Sequence, residues 1–194
     1  HDWIEQMDSP SIDGFNTYVV SRRLAEERVV VGLSGLGADE LFGGYDNFSR
    51  APRLSRILRG LRFVPADLRG GIASGLGLLN GRTGASEKLA DLLAGDPSVR
   101  SVSLALRRSL SNQRLAALGV PAARTDLGAD YLEPGCDGIA PGGLDAFNTV
   151  ACAEAMHYMG DTLLRDTDAN SMRQSLEVRV PFLDLPLVEY VSAL

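Results

Sequence analysis

VVVGLSGLGADELFGGY (residues 29–45) is the stretch whose reading decides the fold. Its first five residues, VVVGL, are β-branched or apolar with no polar alternation. That pattern predicts a short strand buried on both faces. Glycines then crowd the turn: Gly32, Gly35, Gly37, Gly43 and Gly44. Upstream, in residues 11–27, Ile12, Phe15, Tyr18, Val19 and Leu24 recur at near-helical spacing, and Ser11 or Asp13 can cap the start. A helix that feeds an apolar strand, which feeds a glycine turn, predicts a parallel α/β sheet. Open sheets of that kind place ligands at the carboxyl ends of their strands. There Ser34 offers a hydroxyl, and Gly35 lets backbone N–H groups approach an anion with no Cβ in the way. Asp39 falls where a helix begins. It reads either as the helix N-cap or as a ligand to Mg²⁺ bound to phosphates.

Working outward, the character changes after residue 50. Helix-like segments are predicted at 49–61, 66–79, 85–94, 97–110 and 111–118, divided by Gly or Pro. Residues 119–143 hold no apolar period and read as a loop. Leu144, Phe147, Val150, Ala151, Ala155, Tyr158, Met159 and Leu163 predict a long amphipathic helix. In SLEVRVPF (175–182), Leu176, Val178 and Val180 alternate with Glu177 and Arg179, so this is an extended segment stopped at Pro181. LPLVEYVSAL, at the end, reads as a helix. The expected layout is the C-terminal part of one domain: strand and turn in 1–60, helices in 61–118, a loop in 119–143, and helices in 144–194.

Composition narrows the function classes. Nineteen basic against 25 acidic residues give a net charge of −6, which argues against a general nucleic-acid binder. No apolar run approaches the roughly 20 residues needed to span a bilayer, and the start HDWIEQMDSP has no signal-peptide pattern. These features predict a cytoplasmic protein that binds neither nucleic acid nor membrane. Cys136 and Cys152 lack metal spacing and are expected to be reduced. Arg50, Arg53, Arg56, Arg59 and Arg62 recur every third residue on one predicted helix. They form either a solvated face or a surface for an anion or a partner.

LSGLGADELFGGY resembles the signature of the synthetase domain of glutamine-dependent asparagine synthetases, LSG-x-G-x-DE-x-FGGY. SPSIDGFNTYVVSRRLAEE resembles the helix that precedes it in that family. More than 100 residues later, TLLRDTDANSMRQSLEVRVPFLDLPLVEY resembles the family's C-terminal signature. The resemblance implies a truncated, Rossmann-like domain of the nucleotide α-hydrolase type, predominantly helical here with one or two strands. It implies an ATP- and Mg²⁺-dependent ligase that adenylates a carboxylate, aspartate in the family, before ammonia from glutamine displaces AMP. Ser34, Gly35 and Gly37 match positions at the nucleotide, and Asp39 matches the acid on Mg²⁺–pyrophosphate. Glu40, Arg165, Arg173, Glu177 and Arg179 would support them.

Departures from the family pattern are specific. Leu36 stands where members carry the Glu assigned as base for ammonia attack, and leucine takes no proton. Ala169 stands where members carry a Lys or Arg facing pyrophosphate, so no catalytic set is intact, and Arg165 or Arg173 would have to supply the cation. The family's SGG-x-DS loop and its glutaminase domain are expected upstream of residue 1, so the 194-residue chain alone is expected to be inactive. A sheet without its neighbouring strands exposes an edge, which predicts self-association. The alternatives are a ring-closing relative, such as a β-lactam synthetase or peptide cyclase, and a helical interaction module on a relic nucleotide domain. Asp166, Asp168, Asn170 and Glu177 mimic a calcium loop, but Ser171 replaces its turn glycine. Glu177 and Arg179, two apart on an extended segment, are expected to pair, and His157 to be a packed histidine.

Overall fold

Helix α1 spans Asp2–Gln6 and α2 spans Gly14–Glu26, followed by strand β1, Val31–Leu33. The computed structural model describes residues 2–6, 11–61, 63, 84–120 and 145–193. The helix expected at 66–79 and nearly all of the loop 119–143 lie outside these residues. The chain divides into two compact units, His1–Tyr45 with Ala151–Leu194, and Asp46–Val150.

In the first unit, α2 presents Tyr18 and Ser21 inward. On its exposed side Arg22 and Arg23 pair with Glu26, and Arg23 also pairs with Glu27, at the i,i+3 and i,i+4 spacings that face each other on a helix. The helix closes by a Schellman motif: the Arg28 N–H donates to Ala25 O (2.9 Å) and the Val29 N–H to Leu24 O (3.0 Å). Arg28 occupies the left-handed position at φ 61°, where glycine is usual. That reversal aims the chain into β1.

The chain continues through α3 (Ala38–Phe42) into the second unit, with α4 (Asn47–Leu61), α5 (Gly84–Ala94), α6 (Val99–Arg107) and α7 (Asn112–Ala117). Helix α8 (Ala146–Ala153) runs without a break into a π-helical stretch, Glu154–Leu164, and then α9, Arg165–Met172. The long helix expected from residue 144 is therefore longer than its apolar period suggests, because α9 turns polar side chains inward. The chain ends with β2 (Glu177–Arg179), a 3₁₀ turn (Pro181–Leu183) and α10, Leu185–Ser192.

β1 and β2 pair in parallel, with Val31 opposite Glu177, Gly32 opposite Val178 and Leu33 opposite Arg179. Helix α2 covers the face to which Gly32 points, where Leu24 approaches. Alternation puts Val31 and Leu33 on the other face with Glu177 and Arg179. The strand is therefore not buried on both faces as expected: Val31 is 39% and Leu33 77% exposed. The apolar run is real, but among the described residues the sheet has two strands and one covered face.

Helix α9 packs on α2 through a polar seam. Asp166, Thr167, Asn170 and Ser171 are buried there. Gly14 permits the approach, because a Cβ on it would stand 2.8 Å from Asn170 Nδ2 and 3.1 Å from Asp166 Cγ. After α9, Leu176 donates its N–H to Ser171 O (3.0 Å) and is 1% exposed, which anchors the start of β2.

The second unit has a conventional apolar core. Ala51, Leu58, Val102 and Val150 are buried, with Phe48, Leu54, Leu92 and Leu106 packed against them. Polar ties fix the helices. Asn47 Nδ2 donates to Ser103 Oγ (2.9 Å), and Ser55 Oγ donates to Pro97 O (2.6 Å). Ser98 and Ser111 cap α6 and α7 through their side chains. In the first unit Cys152 is disulfide-bonded, so the expectation of a reduced thiol fails there: a spacing that excludes a metal set does not exclude a disulfide.

Candidate functional site

The turn after β1 is held from both ends. The Ser34 N–H donates to Arg179 O (2.8 Å), which extends the β1–β2 ladder by one bond and fixes the start of the loop. Ser34 Oγ accepts from the Leu36 N–H at 3.3 Å, a local turn that leaves the hydroxyl proton to donate elsewhere. Gly37 follows at φ 94° as the N-cap of α3. It is glycine for two reasons. That φ belongs to the left-handed region, and a Cβ there would stand 2.5 Å from Leu183 Cδ2. Gly37 therefore shapes the loop from beneath, packed on the 3₁₀ turn after β2.

The second glycine pair serves Asp39. Gly43 (φ 73°) reverses the chain after α3, and the N–H groups of Gly43 and Gly44 both donate to Asp39 O at 2.9 Å. A Cβ on Gly44 would lie 2.0 Å from Asp39 Oδ1, so the absence of a side chain there gives the carboxylate its place. Asp39 is exposed and is not the N-cap of α3, because Gly37 holds that position.

Glu40, the next residue, has the opposite environment. It is 2% exposed and accepts a hydrogen bond from Tyr45 Oη at 2.9 Å. Burial, and then the hydrogen bond and charge of Glu40, push the Tyr45 hydroxyl well above the usual tyrosine range. Tyr45 packs edge-on against Tyr158 (5.9 Å between ring centres), and Phe42 edge-on against Phe182 (6.2 Å). Two adjacent acids on one short helix thus divide the work: Asp39 faces solvent and Glu40 anchors the helix.

Beside the loop, on the α2 side of the sheet, lies a cavity of about 320 Å³. Ser34, Gly35 and Leu36 form its loop wall, and Asn16, Thr17 and Thr167 supply polar groups from α2 and α9. Among the described residues, no side chain lining it is charged. Gly35 opens onto free space, since a Cβ there would meet nothing within 4 Å. Of the residues expected at the site, the structure brings Ser34, Gly35 and Leu36 to one cavity. Gly37 and Asp39 shape and flank the same turn but lie outside that lining.

Arg165 and Arg173 are exposed and do not line this cavity. Glu177 and Arg179 are exposed and joined by a 2.7 Å hydrogen bond, the pairing their spacing predicts. His157 is half-buried, with Nδ1 3.6 Å from Asp161 Oδ2. The calcium-loop pattern is abolished by geometry, because Asp166, Asp168 and Asn170 lie in helix α9, with Asp166 buried and Asp168 exposed. Asn16, Thr17 and Thr167 were not anticipated; polar residues on helices read as solvent-facing, and only the tertiary fold turns them onto the loop.

The family model described as asparagine synthase matches residues 2–194. The chain belongs to the asparagine synthase family. No curated protein and no solved structure matches it. Membership places the chain among ATP-dependent amide-forming ligases. Among the described residues no group of three or more His, Cys, Asp or Glu stands together to cage a metal. A single exposed carboxylate such as Asp39 suits a magnesium ion held mainly by phosphate oxygens and water. Among the described residues no helix is long and apolar enough to cross a membrane.

Proposed function

We propose that this asparagine synthase family member is a divergent ligase that adenylates a small carboxylic acid at the β1 turn. The carrying observation is the convergence of Ser34, Gly35 and Leu36 on one cavity at the carboxyl end of a strand. Ser34 would donate its hydroxyl proton to the nucleotide, and Gly35 would allow the backbone to approach it. Asp39 would hold Mg²⁺, which supplies neutralisation of the pyrophosphate charge when bound. The residues that bind and orient are fixed before substrate arrives, since Gly37 and the Ser34–Arg179 bond set the loop, as electrostatic stabilisation requires.

Leu36 favours a second reading within the same chemistry. It lines the cavity where asparagine synthetases carry the Glu assigned as base, and leucine accepts no proton from ammonia. A ring-closing ligase, in which the attacking amine belongs to the substrate, is less dependent on that base. An aspartate-like acid with glutamine-derived ammonia is the first pairing to test, and an amino acid carrying its own internal amine is the second. Self-association through the open edge of β1 accompanies this reading, and light scattering that finds monomer at high concentration would count against it.

The test is pyrophosphate release from ATP by the full-length protein, with aspartate and with amine-bearing acids. Release that falls at least about tenfold in Asp39→Asn supports the proposal. No release with any acid would leave a relic nucleotide domain acting as an interaction module.

A further inference from the structure

Charge is divided unevenly between the two units. Residues 1–45 and 151–194 carry 6 basic and 15 acidic side chains, a net of −9, while residues 46–150 carry 13 and 10, a net of +3.

The positive excess concentrates on α4. Asn47, Ala51, Ser55 and Leu58 turn inward and define its buried side. Arg50, Arg53, Arg56 and Arg59 all fall on the exposed arc. Helix α4 carries no acid within its span, and α6, which packs on it, adds Arg100 and Arg107 and again no acid. Among the described residues none of the four α4 arginines has an ion pair. Some surface arginines elsewhere are paired: Arg22 and Arg23 with Glu26, and Arg114 with Glu87. Like charges three apart on a helix repel, so the row weakens the isolated helix.

Residues at every third position also form a ridge, the feature that inserts between the side chains of an opposing helix. Ile57, 58% exposed, sits within this arc and adds apolar contact area to the charge. A surface that is basic, ridged and partly apolar calls for an acidic protein surface. The other unit of this chain is rich in acids, with Asp161, Asp168, Asp184 and Glu189 all exposed.

We propose that the α4 arginine ridge is a contact surface for the acidic unit of a second copy of this chain. The contact is independent of the ligase reading and of association through the β1 edge, and salt separates it from the latter. Ion-pair contacts weaken as the screening length shrinks, whereas apolar edge contacts do not.

Sedimentation velocity of the 194-residue chain tests it at about 50 mM and about 500 mM NaCl, conditions that shorten the screening length about threefold. The expected result is a reversible oligomer at low salt whose association weakens at least about tenfold at high salt. The double variant Arg53→Glu/Arg56→Glu, checked for unchanged helicity by circular dichroism, is expected to weaken low-salt association by a similar factor. Three results would overturn the proposal: a monomer at low salt, an oligomer insensitive to both salt and the double variant, or a monomer that instead binds phosphatidylserine vesicles or duplex DNA.

Discussion

The two units strike different balances between apolar and polar burial. In the 46–150 unit the interior is Ala51, Leu58, Val102 and Val150. In the other, the α2–α9 seam buries Ser21, Asp166, Thr167, Asn170 and Ser171, while Val30, Leu33, Phe15 and Val20 remain exposed. The contrast teaches where each unit gets its order. Apolar packing tolerates approximate shape and rewards volume. A polar seam depends on close approach and on particular backbone positions, which is why Gly14 and Gly37 sit where no side chain fits. The unit with the candidate site adds to its buried apolar side chains a polar seam that depends on close backbone geometry.

The largest expected effect probes that geometry. Gly37→Ala adds a methyl group 2.5 Å from Leu183 at a left-handed φ, and is expected to cost about 3 kcal/mol in urea unfolding. Combining it with Leu183→Ala should recover the steric part and leave the conformational part. Full recovery would show that backbone conformation at residue 37 carries no cost. Next, Val102→Ala in the apolar core is expected to cost about 2 kcal/mol, against less than about 1 kcal/mol for Ser171→Ala in the polar seam. Equal losses would erase the distinction between the units.

The smallest effect is a pH dependence. Tyr45 keeps its proton in the folded state to higher pH than in the unfolded chain. The unfolded state therefore binds fewer protons above the ordinary tyrosine pKa of about 10, and the stability gained from this group is full below that pH and lost as pH rises through the higher folded value. Tyr45→Phe should flatten the alkaline side of the stability profile. An unchanged profile would remove the Glu40–Tyr45 bond from the anchoring of α3.

Particular residues show what the sequence made legible. The helix–strand–glycine order around VVVGL was readable because period, β-branching and glycine each report on local backbone. The same run misled about burial, because exposure of Leu33 depends on which strands lie beside it. Glu177 and Arg179 were readable as a pair, yet their strand's partnership with β1 was not, since a three-residue strand carries no information about its neighbour. Asp39 was ambiguous until Gly37 proved to be the cap. Asn16, Thr17 and Thr167 became site residues only when α2 and α9 met.

The parallel register of β1 with β2 has one more consequence. It joins residue 31 to residue 177, so the pairing of β1 with β2 cannot form until residue 177 has left the ribosome. Contacts so distant along the chain close slowly and tend to put the rate-limiting step late. The 46–150 unit, whose contacts are continuous in sequence, would be complete while the nascent α2 and β1 still wait for their partners, with apolar side chains uncovered and open to capture by a holding chaperone.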